Sequence, residues 1–184
     1  MIGKTGMISV SIFLIFGLSM MSGCIDPAEN NDGEKFEFTL LDGTIKHLSD
    51  YRGKVIILDM WATWCGPCSY QMLELRKTYD SYDRNDLEII SLNIDSRENA
   101  QVINDYIEDF KNQYGIELDW VFGQDDGSIW EKYMIGGGIP TLYIFDQKGR
   151  IHFSHEGVSV FSEIPPGWPD DTVTLSSKID EIIL

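Results

Sequence analysis

The sequence predicts an α/β fold with a central mixed β-sheet flanked by helices. Three observations predict it. Apolar runs at Val55–Met60, Leu87–Ile94 and Leu142–Phe145 have strand length, and longer stretches with helical apolar spacing follow the first two. Asp42-Gly43 lies between two short segments of strand character, a hairpin signal. The pattern Trp64-Cys65-Gly66-Pro67-Cys68 follows the first apolar run and opens a helix. The chain has 184 residues, 43% of them hydrophobic and 12% aromatic, enough to bury the core of one ordinary domain.

Residues 1–23 read as a signal peptide. Lys4 is the only charge, and Ile8–Met21 is an apolar stretch too short for a comfortable membrane span. Met21-Ser22-Gly23-Cys24 resembles a prokaryotic lipobox, which implies cleavage before Cys24 and lipid attached to it. The other reading is an uncleaved N-terminal anchor. Both place the rest of the chain outside the cytoplasm and on a membrane, at the outer face of the cytoplasmic membrane. Residues 24–34 are polar and read as a flexible tether, and residues 35–184 as the folded domain. The net charge is −16, and loss of Lys4 with the leader makes it −17. Such a surface repels phosphate backbones, so nucleic acid is not a partner. It suits a self-repelling soluble surface instead.

Within the domain, Phe36–Leu40 and Thr44–Leu48 form the predicted hairpin around Asp42-Gly43. Ser49–Lys54 is a polar connector. Val55–Met60 is a central strand, apolar on both faces except for Asp59, and a charge in such a run is rarely placed there for stability. Ser69–Tyr82 is a helix, with Met72, Leu75 and Tyr79 inward and Leu73 off that stripe. After the strand Leu87–Ile94, Ser96 and Glu98 mark a helix start. Ala100, Ile103, Ile107 and Phe110 carry that helix to Tyr114, and Gly115 ends it. Leu118–Phe122 is a short strand and Gly127–Tyr133 a short helix, with Ile129 and Trp130 inward. Gly136-Gly137-Gly138 leads through Ile139-Pro140-Thr141 to the strand Leu142–Phe145, and Ile151–His155 returns antiparallel. A proline-containing loop over 157–171 precedes a last helix, Thr172–Ile183.

A Cys-x-x-Cys at a strand-to-helix junction is the sequence form of a dithiol redox site. The helix start supplies unpaired N–H groups and partial positive charge, which favour a thiolate at Cys65. Pro67 suits an early helical position, where no N–H is needed. Two other readings attach to a bare Cys-x-x-Cys. Half of a zinc site wants further ligands, but Cys24 lies in another kind of segment, and His47, His152 and His155 are scattered. An inert disulfide across so short a loop would constrain little of the unfolded chain. Neither a metal nor an organic cofactor is expected.

The order of elements, Trp64-Cys65-Gly66-Pro67-Cys68 and Gly138-Ile139-Pro140-Thr141-Leu142 together resemble the thioredoxin-like superfamily. The leader, the N-terminal hairpin and an inserted strand-and-helix segment between Leu87 and Tyr133 are similar to its membrane-tethered TlpA/ResA branch. So is Phe145-Asp146-Gln147-Lys148-Gly149-Arg150-Ile151. The resemblance covers about residues 35–184. It implies an extracytoplasmic thiol–disulfide oxidoreductase in which Cys65 is the exposed attacking cysteine and Cys68 the resolving one. Pro140 matches the proline that is cis in this family and turns the Ile139 backbone towards a bound substrate chain. Trp61 and Trp64 match aromatic positions flanking the site, and Gly66-Pro67 the dipeptide inside it. Asp59 matches a buried aspartate that takes the proton of the resolving cysteine.

Two positions depart from the branch. Gln71 stands where many relatives carry glutamate, which shifts acid–base work to Asp59. Leu73 replaces a helix-kinking proline, so a straighter helix is expected. The implied partners are a disulfide-containing substrate protein and a membrane redox partner that recycles the site. Gly66-Pro67 implies a potential near roughly −270 mV. Two alternatives differ in class. One is a thiol peroxidase-like enzyme, although the Pro-x-x-x-Thr-x-x-Cys pattern is absent around Cys65. The other is a module that binds metal or apoprotein thiols without turnover.

Overall fold

A computed structural model of the chain describes residues 33–169 and 172–183. The leader, Cys24 and the tether up to Asp32 lie outside the described residues. Seven strands form one sheet in the order β2-β1-β5-β4-β3-β6-β7. These are β1 (Glu37–Leu40), β2 (Ile45–His47), β3 (Val55–Trp61), β4 (Leu87–Asn93), β5 (Val121–Gln124), β6 (Thr141–Phe145) and β7 (Ile151–Glu156). Strands β3, β4 and β5 run parallel; the hairpin strands and β6–β7 run antiparallel, so the sheet is mixed as predicted. The helices are α1 (Gly66–Ser81), α2 (Ala100–Tyr114), α3 (Ser128–Tyr133) and α4 (Leu175–Asp180). Among the described residues no helix is long and apolar enough to cross a membrane.

Strand β3 is buried along its whole length and divides the core in two. Val55, Ile57 and Trp61 pack with Met72, Leu75 and Tyr79 of α1, Ile103 and Phe110 of α2, and Leu175 and Ile179 of α4. Ile56, Leu58 and Met60 turn to the opposite side, with Phe38, Ile90, Ile129, Tyr133 and Phe145. The two-residue alternation of a strand produces this division. It puts Asp59 on the α1 side of the sheet. Helix α1 runs unbroken through Leu73, as the absence of proline there predicts.

Four boundaries differ from the sequence reading, two through long-range partners and two through local helix caps. Glu34 was expected in the tether, but its N–H donates to the Gly149 carbonyl (2.7 Å) and its carboxylate meets Lys132 and Tyr133. Helix α2 starts at Asn99 rather than Ser96. Asn99 Oδ1 accepts from Gln101 N and Val102 N at 3.0 and 3.1 Å, leaving Glu98 to reach elsewhere. Strand β5 lies at Val121–Gln124 rather than Leu118–Phe122, because its register is set by β4 and β1. Helix α4 is six residues long, capped by Thr174, and shorter than the Thr172–Ile183 stripe suggested.

The hairpin docks on β5 at Gly123. A Cβ there would lie 2.7 Å from the Thr39 carbonyl oxygen and 3.0 Å from Leu92. Gly123→Ala is therefore expected to lower unfolding stability by about 1–3 kcal/mol, the range of an overpacked core. Urea unfolding checks this, with loss of protection at the β1 amides as the local signature.

Candidate active site

The site grows from the end of β3. Beyond Trp61 the chain passes through Ala62, Thr63 and Trp64 to Cys65, whose extended backbone makes it the N-cap of α1. Helix starts leave N–H groups unpaired, and a side chain at the cap normally accepts from one of them. Here the acceptor is sulfur: Cys68 N–H donates to Cys65 Sγ at 3.2 Å. Pro67 lies in the first turn, where its missing N–H leaves no gap. Cys65 and Cys68 are joined in a disulfide, with Cα atoms 5.2 Å apart.

The expected exposure of Cys65 requires correction. In the oxidised protein it is 4% exposed, and Cys68 is 1% exposed. The Cys65 sulfur is turned towards its partner and lies 3.6 Å from the Ile139 carbonyl oxygen. The Ile139–Pro140 bond is cis, as the resemblance implied. The exposed parts of the site are Trp64, Gly66 and Pro67, around the sulfur rather than on it.

Trp64 and Trp61 behave differently. Trp64 is 61% exposed and its indole Nε1–H donates to Asp95 Oδ2 at 2.8 Å. Arg97 and then Trp64 hold the Asp95 carboxyl well below the usual carboxylate range. Trp61 is fully buried against Tyr106 and Phe122, with ring centroids 4.9 and 5.9 Å away. Tyr106 in turn shares a hydrogen bond with Ser69 in the first turn of α1, at 2.8 Å.

Asp59 is completely buried on the α1 side of β3. Its cross-strand neighbour in β4 is Ser91, whose hydroxyl donates to Asp59 Oδ2 at 2.9 Å. Ser91 Oγ accepts in turn from Trp120 Nε1 at 3.0 Å. Among the described residues Oδ1 has no hydrogen-bond partner. Burial penalises the charged carboxylate and pushes its pKa up to about 7, against a lowering contribution from Ser91. Asp59 and the α1 face that carries Cys68 lie on the same side of the sheet, and an acid whose pKa is raised to about 7 by burial can change protonation near neutral pH.

Gln71 is also buried, and its role is visible. Its Oε1 accepts from Ser159 N–H at 2.7 Å and its Nε2 donates to the Ser159 carbonyl at 3.1 Å. A glutamate, once ionised, has no donor for that second bond. Glu74 one turn on accepts from Phe161 N–H at 2.8 Å. Helix α1 thus holds the segment after β7 through two side chains, and Gln71 is a clamp.

Sequence reasoning missed Glu98. Its carboxylate accepts from Thr63 N–H at 3.1 Å, from the Thr63 hydroxyl, and from Asn93 Nδ2 at 2.6 Å. It therefore fixes the segment that carries Trp64 and Cys65. A signal was available: Asp95–Asn99 is a polar loop beyond the carboxyl end of a central parallel strand, where sites gather in open α/β sheets.

A disulfide at the head of the first helix after a central strand, facing a cis-proline loop, defines a thioredoxin-like protein. The chain belongs to the AhpC/TSA family, whose model matches residues 30–154. It is similar to the thiol-disulfide oxidoreductase ResA of Geobacillus kaustophilus, at 30% identity over 116 residues. That match spans 63% of this chain and 62% of the relative, so it covers less than two thirds of the relative's length. Among solved structures it resembles StoA from Bacillus subtilis, at 25% identity and a TM-score of 0.55, over 69% of this chain and 90% of that one. It also resembles the exposed lipoprotein thioredoxin of Streptococcus pneumoniae, at 23% identity and a TM-score of 0.56, over 81% and 100% of the two chains. The last likeness shows the fold alone.

Proposed function

We propose that this protein is an extracytoplasmic, membrane-anchored thiol–disulfide oxidoreductase that reduces protein disulfides. The observation that carries the proposal is the placement of Cys65 Sγ. It caps α1, accepts the Cys68 N–H and lies beside the Ile139 carbonyl. A thiolate at that cap keeps a donor and the positive end of a helix. The ResA relatives support the same chemistry.

In the proposed cycle the reduced Cys65 thiolate attacks one sulfur of a substrate disulfide. A Cys65–substrate disulfide forms and the other substrate sulfur leaves as thiolate. Cys68 then gives up its proton, with Asp59 in carboxylate form as the acceptor, and attacks Cys65 Sγ. The mixed disulfide breaks, the Cys65–Cys68 disulfide forms, and the second substrate thiolate leaves. Two electrons pass from protein to substrate, and a membrane redox partner restores the dithiol. Trp64, Gly66 and Pro67 form the rim on which the substrate rests, and the Ile139-Pro140 backbone receives its chain as an added strand. The apolar run Ile8–Met21 and the small residues before Cys24 support anchoring through lipid or an uncleaved leader, with a polar tether after Cys24 and a working domain that takes in Glu34 and the residues after it.

The test is stoichiometric. Reduced protein mixed with insulin should release one insulin disulfide as thiols for each Cys65–Cys68 disulfide formed. Failure to react, or consumption of peroxide in its place, would overturn the reading.

A further inference from the structure

We infer that Glu156 is a positioning residue that holds the Gly136-Gly137-Gly138 segment so that Ile139 meets a substrate chain beside Cys65. The inference rests on the oxidoreductase reading and adds a residue to it. Glu156 is the last residue of β7, opposite Thr141 of β6. Its carboxylate accepts from Gly136 N–H. The next residue, Gly157, donates its N–H to the Pro140 carbonyl at 2.8 Å. The end of β7 therefore grips both sides of Ile139.

The glycines explain why this grip matters. A Cβ on Gly136 would lie 2.7 Å from Glu156 Oε2, and one on Gly138 would lie 2.8 Å from Oε1. The carboxylate occupies the space that side chains would fill, and Gly137 between them has φ +99°. Three consecutive glycines have no side chains with which to order themselves and lose the most freedom when fixed. Two side chains fix them here. Thr141 Oγ1 donates to the Gly138 carbonyl at 2.6 Å, and Glu156 secures Gly136. Ile139 follows directly, with its carbonyl 3.6 Å from Cys65 Sγ. Loosening Gly136 spreads the positions of the backbone that a substrate must pair with, while the disulfide and the α1 cap stay as they are. Weaker substrate docking with unchanged sulfur chemistry is the expected signature.

The experiment uses the full-length protein in detergent, comparing wild type with Glu156→Ala, Glu156→Gln and Gly138→Ala. Pre-reduced protein is followed through a single turnover against excess insulin, the protein disulfide, or excess dithiobisnitrobenzoate, the small one, and KM and kcat denote the half-saturating concentration and the limiting rate. Glu156→Ala should raise KM for insulin about fivefold, the loss of one hydrogen bond to an exposed charged group. Its kcat, its reaction with dithiobisnitrobenzoate and its midpoint potential should match wild type. Glu156→Gln should restore KM, because the amide oxygen still accepts from Gly136. Gly138→Ala should repeat the alanine defect. An unchanged KM in an active Glu156→Ala protein overturns the inference and leaves the oxidoreductase reading standing. An equal loss with both substrates also overturns it, since the effect would then lie in the sulfur chemistry. A wild type that reduces neither substrate overturns the underlying reading as well.

Discussion

Reduced Cys68→Ser protein should accumulate as a covalent adduct with its disulfide substrate, and turnover should fall about a thousandfold or more. The expectation follows from the division of labour at the head of α1. Both cysteines are buried, Cys65 slightly less so (4% against 1%), and Cys65 Sγ lies 3.6 Å from the Ile139 carbonyl oxygen and receives an N–H from the helix. Serine at position 68 leaves that sulfur and its cap in place. It removes only the internal thiol that cleaves the mixed disulfide. An internal nucleophile acts at an effective concentration far above millimolar external thiol, so its loss leaves release to a slow outside reaction. Mass spectrometry of the trapped adduct, with Cys65→Ser as the control that forms none, checks the order of attack. Adduct formation on Cys65→Ser and none on Cys68→Ser would reverse the two roles.

Asp59→Asn should stabilise the oxidised protein at pH 8 by roughly 3–4 kcal/mol and flatten its pH dependence. The folded pKa of Asp59 is raised from 3.8 to about 7 by burial. Between those two values the folded state holds a proton that the unfolded state has lost, so stability falls as pH rises. Below that window the penalty is absent, and above it the penalty is constant. Asparagine keeps the shape and an acceptor for Ser91 but removes the charge. Urea midpoints at pH 5 and pH 8 should therefore differ in wild type and coincide more closely in the variant. The same change should slow resolution of the mixed disulfide by about a hundredfold, a typical loss for a missing general base. It should also remove an inflection near neutral pH from the rate profile. Ser91→Ala should move that inflection upward, because the Ser91 bond favours the carboxylate. A variant no more stable at pH 8 than wild type would show that burial does not raise the Asp59 pKa.

The residues of the dithiol were legible because their chemistry is local. Cys65, Pro67 and Cys68 announce themselves at a strand-to-helix junction, and Asp59 stands out as a charge inside an apolar strand. Pro140 followed from its motif. What remained hidden depends on partners far away in sequence. Glu98 reaches 35 residues back to Thr63, and Gln71 reaches 88 residues forward to Ser159. The Ser91–Trp120 support of Asp59 needed the β3–β4 register before it could be seen. The same reason misplaced β5, whose limits are set by β1 and β4 rather than by its own apolar run. The closing amphipathic stripe overstated α4, because spacing alone does not show where Thr174 caps and Glu181 stops. Gly136, Gly137 and Gly138 have no side chains with which to signal a partner. The structure folds those glycines around one carboxylate.

The most direct test of the central claim is the midpoint potential of the Cys65–Cys68 couple, measured by equilibration with defined thiol buffers. A dedicated reductant with the Gly66-Pro67 dipeptide should have a potential near roughly −270 mV. A value above about −150 mV, towards that of a strong oxidant, would keep the fold and the cysteines but contradict the proposed direction of electron flow.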